Sequence, residues 1–182
     1  LLAALRDAAH RLERVGVPTP GVDAEMLLSN LLGVTRGAML ADAQTGKTLD
    51  SSRQDEWERL VSRREAREPL QHITGTAAFM DFEVMVGNGV FVPRPETQAL
   101  VEAAITHAQS IAVGDSGLHI ADLCSGSGVV ALSLARAVPH AHVVAVEASD
   151  QAMPYLTRNV NDLAPDVEVV QAPVEELDRA PG

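Results

Sequence analysis

Cysteine is nearly absent from this sequence, since Cys124 is the only one among its 182 residues. A single thiol excludes an internal disulfide. Without a grouping of cysteine and histidine at metal-ligand spacing, a zinc site is excluded as well. We therefore expect no structural metal and no need for an oxidising compartment.

Positive charge is also scarce. The chain has 14 lysines and arginines against 25 aspartates and glutamates, which gives a formal net charge of -11 at pH 7. Proteins that bind nucleic acid need a basic face for its phosphates, so direct nucleic-acid binding is disfavoured. The acidic balance suits solubility or a basic protein partner.

Long apolar runs are missing too. No stretch is apolar enough to span a bilayer, and there is no signal-peptide pattern at the beginning of the sequence. We expect a cytoplasmic protein without membrane contact.

The first part of the chain has the apolar spacing of helices. Residues 1–15, 22–32, 35–41 and about 51–67 follow this pattern, and Gly33 stops the second helix. Trp57, Leu60 and Val61 lie on the inner stripe of the last helix, for which Asp50 or Ser51 is the predicted cap. Residues 1–69 are therefore predicted to form a small helical bundle.

The next segment indicates a β-hairpin. Residues 77–80 and 82–86 are short β-like runs between Gly75 and the turn cluster at residues 87–89. Two prolines then hold the chain extended around Arg94, which suits either a plain linker or a loop fixed against a ligand. Residues 70–95 are assigned to this hairpin connection, and a helix is expected from about residue 96 to 110.

The following stretch predicts a βαβ unit. An apolar run ends at Asp122, a turn with two glycines covers residues 124–128, and a helical pattern covers residues 129–138. A second apolar run at residues 143–146 stops at Glu147, and a third lies at residues 167–170, after a helix that Asp150 is expected to cap. The chain after this third run is acidic and is predicted to be irregular. Parallel strands of this kind need helices on both faces of the sheet. Residues 124–128 are called the glycine turn below.

The glycine turn is suited to an adenosine-type ligand. Gly126 and Gly128 allow close approach to the backbone, and the N–H groups of the next helix point into the same space. Glu147 follows at the spacing of an acid that bonds ribose hydroxyls. Asp122 would repel a pyrophosphate but attract the ammonium and sulfonium groups of S-adenosylmethionine. S-adenosylmethionine is therefore favoured over a nicotinamide cofactor, and an oxidoreductase or a purely structural βαβ unit remain as alternatives.

Three motifs, taken together, resemble those of one enzyme family. They are EPLQHITG at residues 68–75, FVPRPET at residues 91–97 and ADLCSGSG at residues 121–128. In this order they are similar to signatures of the protein-(glutamine-N5) methyltransferases of peptide chain release factors, the PrmC/HemK family. The first two are fairly specific to that family, and the third is shared by most class I methyltransferases.

The resemblance implies an α/β fold, in which a class I, Rossmann-like, S-adenosylmethionine-dependent methyltransferase domain follows a small helical bundle and a β-hairpin connection. It implies methyl transfer from S-adenosylmethionine to the side-chain amide of the glutamine in the Gly-Gly-Gln loop of release factors, with the bundle recognising the release factor. By position, the glycine turn would line the methionine part of the cofactor, and Glu147 and Ala148 would hold the ribose and the adenine. Phe91 and Thr97 would close the pocket from the other side. The expected cofactor-binding residues are Phe91, Thr97, Asp122, Cys124, Ser125, Gly126, Ser127, Gly128, Glu147 and Ala148.

Some features depart from the family pattern. The family has glycine at the position of Cys124, and it often has an acid near the adenine where Pro173 stands here. Its Asn-Pro-Pro-Tyr motif, which orients the glutamine amide, does not occur in this sequence, so no catalytic residue is assigned. We expect residues 96–182 to be only the first part of the methyltransferase domain. The alternatives are an N6-adenine or other amino-group methyltransferase, or a binding module without catalysis.

Overall fold

The computed structural model describes residues 1–111 and 117–179. The chain forms two compact units, Leu1–Thr74 and Gly75–Gly182. Each unit has its own hydrophobic core. Within the described ranges, no helix combines the length and the apolar character that crossing a membrane requires.

The first unit is helical, as predicted. A short 3-10 turn, Ser51–Arg53, precedes its fourth helix, and the side chain of Asp50 caps this turn by accepting the N–H of Ser52 at 2.8 Å. Trp57 and Val61 are buried in the core, as their spacing predicted, and Leu60 is half-buried against the same core. The five helices are α1 (Leu2–Arg14), α2 (Pro20–Leu32), α3 (Arg36–Gln44), α4 (Gln54–Glu65) and α5 (Leu70–Thr74).

One buried ion pair holds two of these helices together. Asp23 lies in the first turn of α2 but is only 4% exposed. One of its oxygens lies 2.7 Å from Nε of Arg64 on α4, and the other accepts the hydroxyl of Thr19 at 2.8 Å. A charge buried in this way needs such partners, because an unpaired one would be strongly destabilising.

The second unit begins with the predicted hairpin. Strands β1 (Thr76–Phe79) and β2 (Phe82–Met85) pair antiparallel, with Phe79 opposite Phe82 beside the turn. Helix α6 (Thr97–Ser110) follows, close to its predicted bounds. Residues 70–74 were assigned to the hairpin connection, but they form helix α5, which lies in the first unit, whereas the hairpin lies in the second.

A parallel sheet forms the centre of the second unit. Strands β3, β4 and β5 lie side by side in chain order, and each consecutive pair is parallel. The predicted βαβ unit is therefore confirmed, and the carboxyl ends of all three strands lie at one edge of the sheet. The elements are β3 (Leu118–Leu123), α7 (Val129–Ala137), β4 (Ala141–Glu147), α8 (Met153–Leu163) and β5 (Glu168–Gln171).

Two local predictions in this unit were wrong. Asp150 does not cap α8, because the helix begins at Met153, with Pro154 in its first turn. Asp150 instead accepts a hydrogen bond from the side chain of Gln171 at 2.6 Å. The chain after β5 was expected to be irregular, but Val174–Arg179 forms a 3-10 helix.

Candidate functional site

The glycine turn connects the end of β3 to the start of α7. Three of its residues lie in the left-handed region, with φ of 62° at Cys124, 57° at Gly126 and 86° at Gly128. The N–H of Gly128 donates to the carbonyl of Ser125 at 2.8 Å, and the N–H of Ser125 donates to the carbonyl of Val146 at 3.0 Å. The turn is therefore closed on itself and bonded to the neighbouring strand β4.

The two glycines of the turn serve different purposes. A Cβ built on Gly126 would have no other atom within 4 Å, so the backbone there borders open space. A Cβ on Gly128 would lie 2.7 Å from Cδ1 of Leu156 on α8. Gly128 is therefore required for packing, whereas Gly126 leaves room for a ligand to approach the main chain.

Asp122 lies in β3, just before the turn. One of its carboxylate oxygens accepts the N–H of Ala131, the third residue of α7, at 3.1 Å. Gly128, at the N-cap position, has no side chain to do this, so Asp122 satisfies a helix N–H that would otherwise lack a partner. The carboxylate is thus turned partly towards the helix. The sequence had suggested that it faces a ligand, but one of its oxygens is already used by the helix.

Burial raises the pKa of the Asp122 carboxyl above its usual value. The hydrogen bond from the N–H of Ala131 acts in the opposite direction, and the negative charge of Glu147 adds to the increase. Two carboxylates therefore influence each other at this edge of the sheet. Such a pair favours a ligand that carries positive charge.

Glu147 is the last residue of β4. Its Oε2 atom accepts the N–H of Gly126 at 2.8 Å, and its Oε1 atom accepts the N–H groups of Ala148 at 2.9 Å and Ser149 at 2.8 Å. The side chain is thus fixed at the carboxyl edge of the sheet, with the glycine turn on one side and the chain after β4 on the other.

The other expected site residues lie outside the glycine turn. Phe91 is 68% exposed, and the guanidinium of Arg94 lies 5.0 Å from the centre of its ring. Thr97 is the half-buried first residue of α6, and Ala148 is exposed just after β4. Among the described residues, neither Phe91 nor Thr97 is hydrogen-bonded to the glycine turn. The structure therefore brings together Asp122, residues 124–128, Glu147 and Ala148.

One residue that contacts the turn, Asn159 on α8, was not predicted from the sequence. It is 2% exposed and donates a hydrogen bond to the carbonyl of Ser127 at 2.9 Å. A signal was present, because Asn159 lies between Leu156 and Val160 on the apolar stripe of an otherwise amphipathic helix. A polar side chain at such a position usually has hydrogen-bond partners.

Two family models match this chain. The PrmC N-terminal domain matches residues 3–75, and the Methyltransferase domain matches residues 120–182. The first match covers the helical unit, and the second begins in β3 and covers the glycine turn and Glu147. The fold expected from the sequence is therefore confirmed: a helical bundle and a β-hairpin precede a Rossmann-like methyltransferase domain.

Curated relatives resemble nearly the whole chain. A release factor glutamine methyltransferase from Streptomyces coelicolor is 47% identical over 162 residues, which cover 88% of this chain and 54% of the relative. One from Mycolicibacterium smegmatis is 42% identical over 182 residues, or 100% of this chain and 60% of the relative. The chain thus spans little more than half the length of these relatives.

Solved structures show a weaker likeness. A precorrin-6y C5,15-methyltransferase from Geobacter metallireducens is 19% identical, with a TM-score of 0.42, over 54% of this chain and 49% of that chain. At this similarity it adds nothing to the result from the family models and the curated relatives.

Proposed function

We propose that this chain, which resembles the release factor glutamine methyltransferases, belongs to an enzyme that methylates a glutamine side chain of a peptide chain release factor, with S-adenosylmethionine as the methyl donor. The observation that carries the proposal is the glycine turn, open at Gly126 and bonded to the carboxylate of Glu147. It lies in a chain that is 47% identical to a named release factor glutamine methyltransferase. A release-factor substrate implies the cytoplasm as the compartment.

The chemistry of the turn fits the cofactor. S-adenosylmethionine carries its methyl group on a positively charged sulfonium and has an ammonium group close by, and Asp122 and Glu147 supply negative charge at the same edge of the sheet. The open space at Gly126 lets the methionine part approach the backbone of residues 124–128. We place Ala148 beside the adenine, and Phe91 and Thr97 on the far side of the pocket.

Hydrogen-bond capacity limits how Glu147 can hold the ribose. A carboxylate has about four acceptor positions, two on each oxygen. Oε1 already accepts two N–H groups and Oε2 accepts one. Oε2 can therefore take one ribose hydroxyl directly. A second hydroxyl requires Ala148 or Ser149 to give up its bond to Oε1.

The residues that hold the substrate glutamine are not assigned in this chain. An amide nitrogen is a poor nucleophile, because its lone pair is delocalised into the carbonyl. Catalysis therefore depends on holding the amide in line with the methyl group, which is a matter of orientation and electrostatics. In the family the Asn-Pro-Pro-Tyr motif does this, and the present sequence contributes the cofactor half of the site.

Composition separates this proposal from a nucleic-acid methyltransferase. Residues 75–182 contain only 4 lysines and arginines but 14 aspartates and glutamates. A DNA or RNA substrate would need a basic groove next to the cofactor. A protein substrate does not, so the N6-adenine alternative is disfavoured.

Methyl transfer from labelled S-adenosylmethionine to a purified release factor tests the proposal. The experiment uses full-length enzyme, and the control substrate carries alanine in place of the Gly-Gly-Gln glutamine. Label on the first substrate and none on the second is the expected result. Equal labelling of both would exclude this glutamine as the target. Label only on an added adenine-containing oligonucleotide would favour the alternative.

A further inference from the structure

Asn159 connects three separate segments of the second unit. Its Oδ1 atom accepts the N–H of Met85 at the end of β2 at 2.7 Å. Its Nδ2 atom donates to the carbonyl of the same residue at 3.0 Å and to the carbonyl of Ser127 in the glycine turn at 2.9 Å. The amide is therefore shared between α8, the hairpin and the turn.

These three bonds determine the orientation of the amide. An asparagine side chain offers one carbonyl oxygen and two N–H groups. Here the oxygen faces a backbone N–H, and the nitrogen faces two backbone carbonyls, so the opposite orientation would lose all three bonds. Because Asn159 is 2% exposed, losing them would leave polar groups without water as a substitute.

The bond to Ser127 fixes one peptide group of the turn at both ends. The carbonyl of Ser127 is held by Asn159, and the N–H of the same peptide, on Gly128, is held by the carbonyl of Ser125 at 2.8 Å. A peptide group is planar, so fixing both ends sets its direction. This direction determines where the left-handed Gly128 sends the chain into α7.

We propose that Asn159 is a positioning residue for cofactor binding: it holds the glycine turn in the conformation that leaves the space at Gly126 free. This inference rests on the proposed function of the turn. Asn159 acts through the Ser127–Gly128 peptide and does not touch the cofactor. Its bonds to Met85 also fix the end of β2, from which the chain continues to Phe91 on the proposed far side of the pocket. One buried amide thus orients both segments that we assign to the cofactor.

The end of β2 is packed closely against the same helix. A Cβ built on Gly87 would lie 2.1 Å from the hydroxyl oxygen of Tyr155, and a Cβ on Gly89 would lie 2.4 Å from Cβ of Gln151. The backbone after β2 therefore lies against Tyr155 of α8 and against Gln151, which precedes this helix. A change at Asn159 is transmitted to this segment as well as to the turn.

Two substitutions separate the parts of this role, and a third serves as the control. Asn159→Asp keeps the shape and the acceptor for the N–H of Met85, but an ionised carboxylate cannot donate to Ser127. Asn159→Leu keeps approximately the size and removes every polar bond. Val160→Ala truncates the next buried residue, which is 2% exposed and packs in the same core. It should lower stability without removing a hydrogen bond to the turn, because a valine side chain has no polar group.

The affinity for S-adenosylhomocysteine is measured by calorimetry, with full-length protein, at a temperature where every variant is folded. We expect both Asn159 variants to bind at least about tenfold more weakly, and Val160→Ala to bind within about twofold of the wild type. Unchanged affinity in a folded Asn159→Leu or Asn159→Asp protein would overturn the inference. An equal loss in Val160→Ala would do the same, because it would show a general effect of stability.

Amide hydrogen exchange provides a readout that does not need the cofactor. In ligand-free protein, the N–H groups of Gly126 and Gly128 should exchange at least about tenfold faster in both Asn159 variants than in Val160→Ala. If the wild type binds no S-adenosylhomocysteine, the proposed function fails, and the exchange rates alone decide whether Asn159 positions the turn. Equal exchange in all three variants would show that it does not.

Discussion

The carboxylate of Glu147 accepts the N–H of Gly126 at 2.8 Å, and this bond joins the last residue of β4 to the turn after β3. The residue that we assign to the ribose is therefore also part of the framework of the turn. Binding and preorganisation are combined in one side chain, so substitution of Glu147 should affect both.

Replacing Glu147 with alanine should weaken S-adenosylhomocysteine binding by more than about tenfold, since hydrogen bonds to a charged group contribute roughly 1.5 to 3 kcal/mol each. Glu147→Gln should also bind weakly, because backbone N–H groups face both carboxylate oxygens and one would meet the amide nitrogen instead. Calorimetric titration measures both effects. Glu168→Ala, an exposed acid on the neighbouring strand β5, is the control and should bind normally. Normal affinity in Glu147→Ala would remove this residue from the site.

The raised pKa of Asp122 predicts a specific dependence of stability on pH. Burial raises the pKa of the folded state above that of the unfolded chain, so the folded state keeps its proton over a range where the unfolded state has lost it. As the pH rises from the unfolded value of about 3.9 through the folded value, the free energy of unfolding should decrease. Asp122→Asn retains an acceptor for the N–H of Ala131 but removes this titration.

Urea unfolding of the wild type and of Asp122→Asn, at a series of pH values from acid to neutral, checks this prediction. The stability of the wild type relative to the variant should fall as the pH rises through the window and then remain constant. A relative stability that increases over the same window would show that the carboxylate is stabilised, not penalised, by its surroundings.

Gly126 and Gly128 provide a matched pair of substitutions. Gly126→Ala places a methyl group in open space, so the fold should lose only about 1 to 2 kcal/mol for the left-handed backbone, whereas cofactor binding should be blocked. Gly128→Ala has the same kind of backbone cost and also forces Leu156 to move, which adds roughly 1 to 3 kcal/mol. Unfolding and binding experiments on both variants separate the two effects. Full affinity in Gly126→Ala would mean that the cofactor does not occupy the space above this residue.

The main elements of the second unit could be predicted because their signals are local. The apolar runs of β3 and β4, the glycines between them and the turn cluster at residues 87–89 each lie within a few residues of the structure that they determine. The same holds for helices α1 to α4 of the first unit, whereas the short helix α5 was not predicted. The family resemblance added the expected roles of residues such as Phe91 and Thr97, which their own neighbourhood does not indicate.

What the sequence did not reveal depends on contacts between distant residues. Asn159 is 74 residues from Met85 and 32 residues from Ser127 in the chain, so no local pattern links them. The direction of the Asp122 carboxylate depends on how α7 lies against β3. Asp150 has suitable chemistry for a cap, but Pro154 and the bond to Gln171 led to a different arrangement.

Cys124 occupies a position where the backbone favours glycine. Its φ is 62°, in the left-handed region, and its side chain is exposed, so it contributes little packing. Cys124→Ala removes the thiol but retains the unfavourable backbone, and Cys124→Gly relieves it. We expect the glycine variant to be more stable than the alanine variant by about 1 kcal/mol, opposite to the usual order within helices and strands. Chemical denaturation of the two variants measures this difference, and the reverse order would show that the turn holds another conformation in solution.

The helical unit can be tested separately from cofactor binding, because each unit has its own buried core. A deletion variant that lacks residues 1–74, and is otherwise complete, should bind S-adenosylhomocysteine within about twofold of the wild type. It should not methylate a whole release factor. The retained binding shows that the remaining unit is folded. Equal methylation with and without residues 1–74 would refute the role of this unit in recognition.

A point substitution tests the same role without deletion. Arg64→Leu leaves Asp23 buried and without its charged partner, and removing one member of such a pair typically destabilises by about 3 to 5 kcal/mol. Arg59→Leu on the same helix is the control, since Arg59 is exposed and donates a hydrogen bond to the carbonyl of Asp55, so its loss leaves no buried charge behind. On warming, Arg64→Leu should lose release-factor methylation well before Arg59→Leu does, while both still bind S-adenosylhomocysteine. If cofactor binding and methylation are lost together, the two units do not act independently. Loss of methylation in the deletion variant would then not show that the helical unit recognises the release factor.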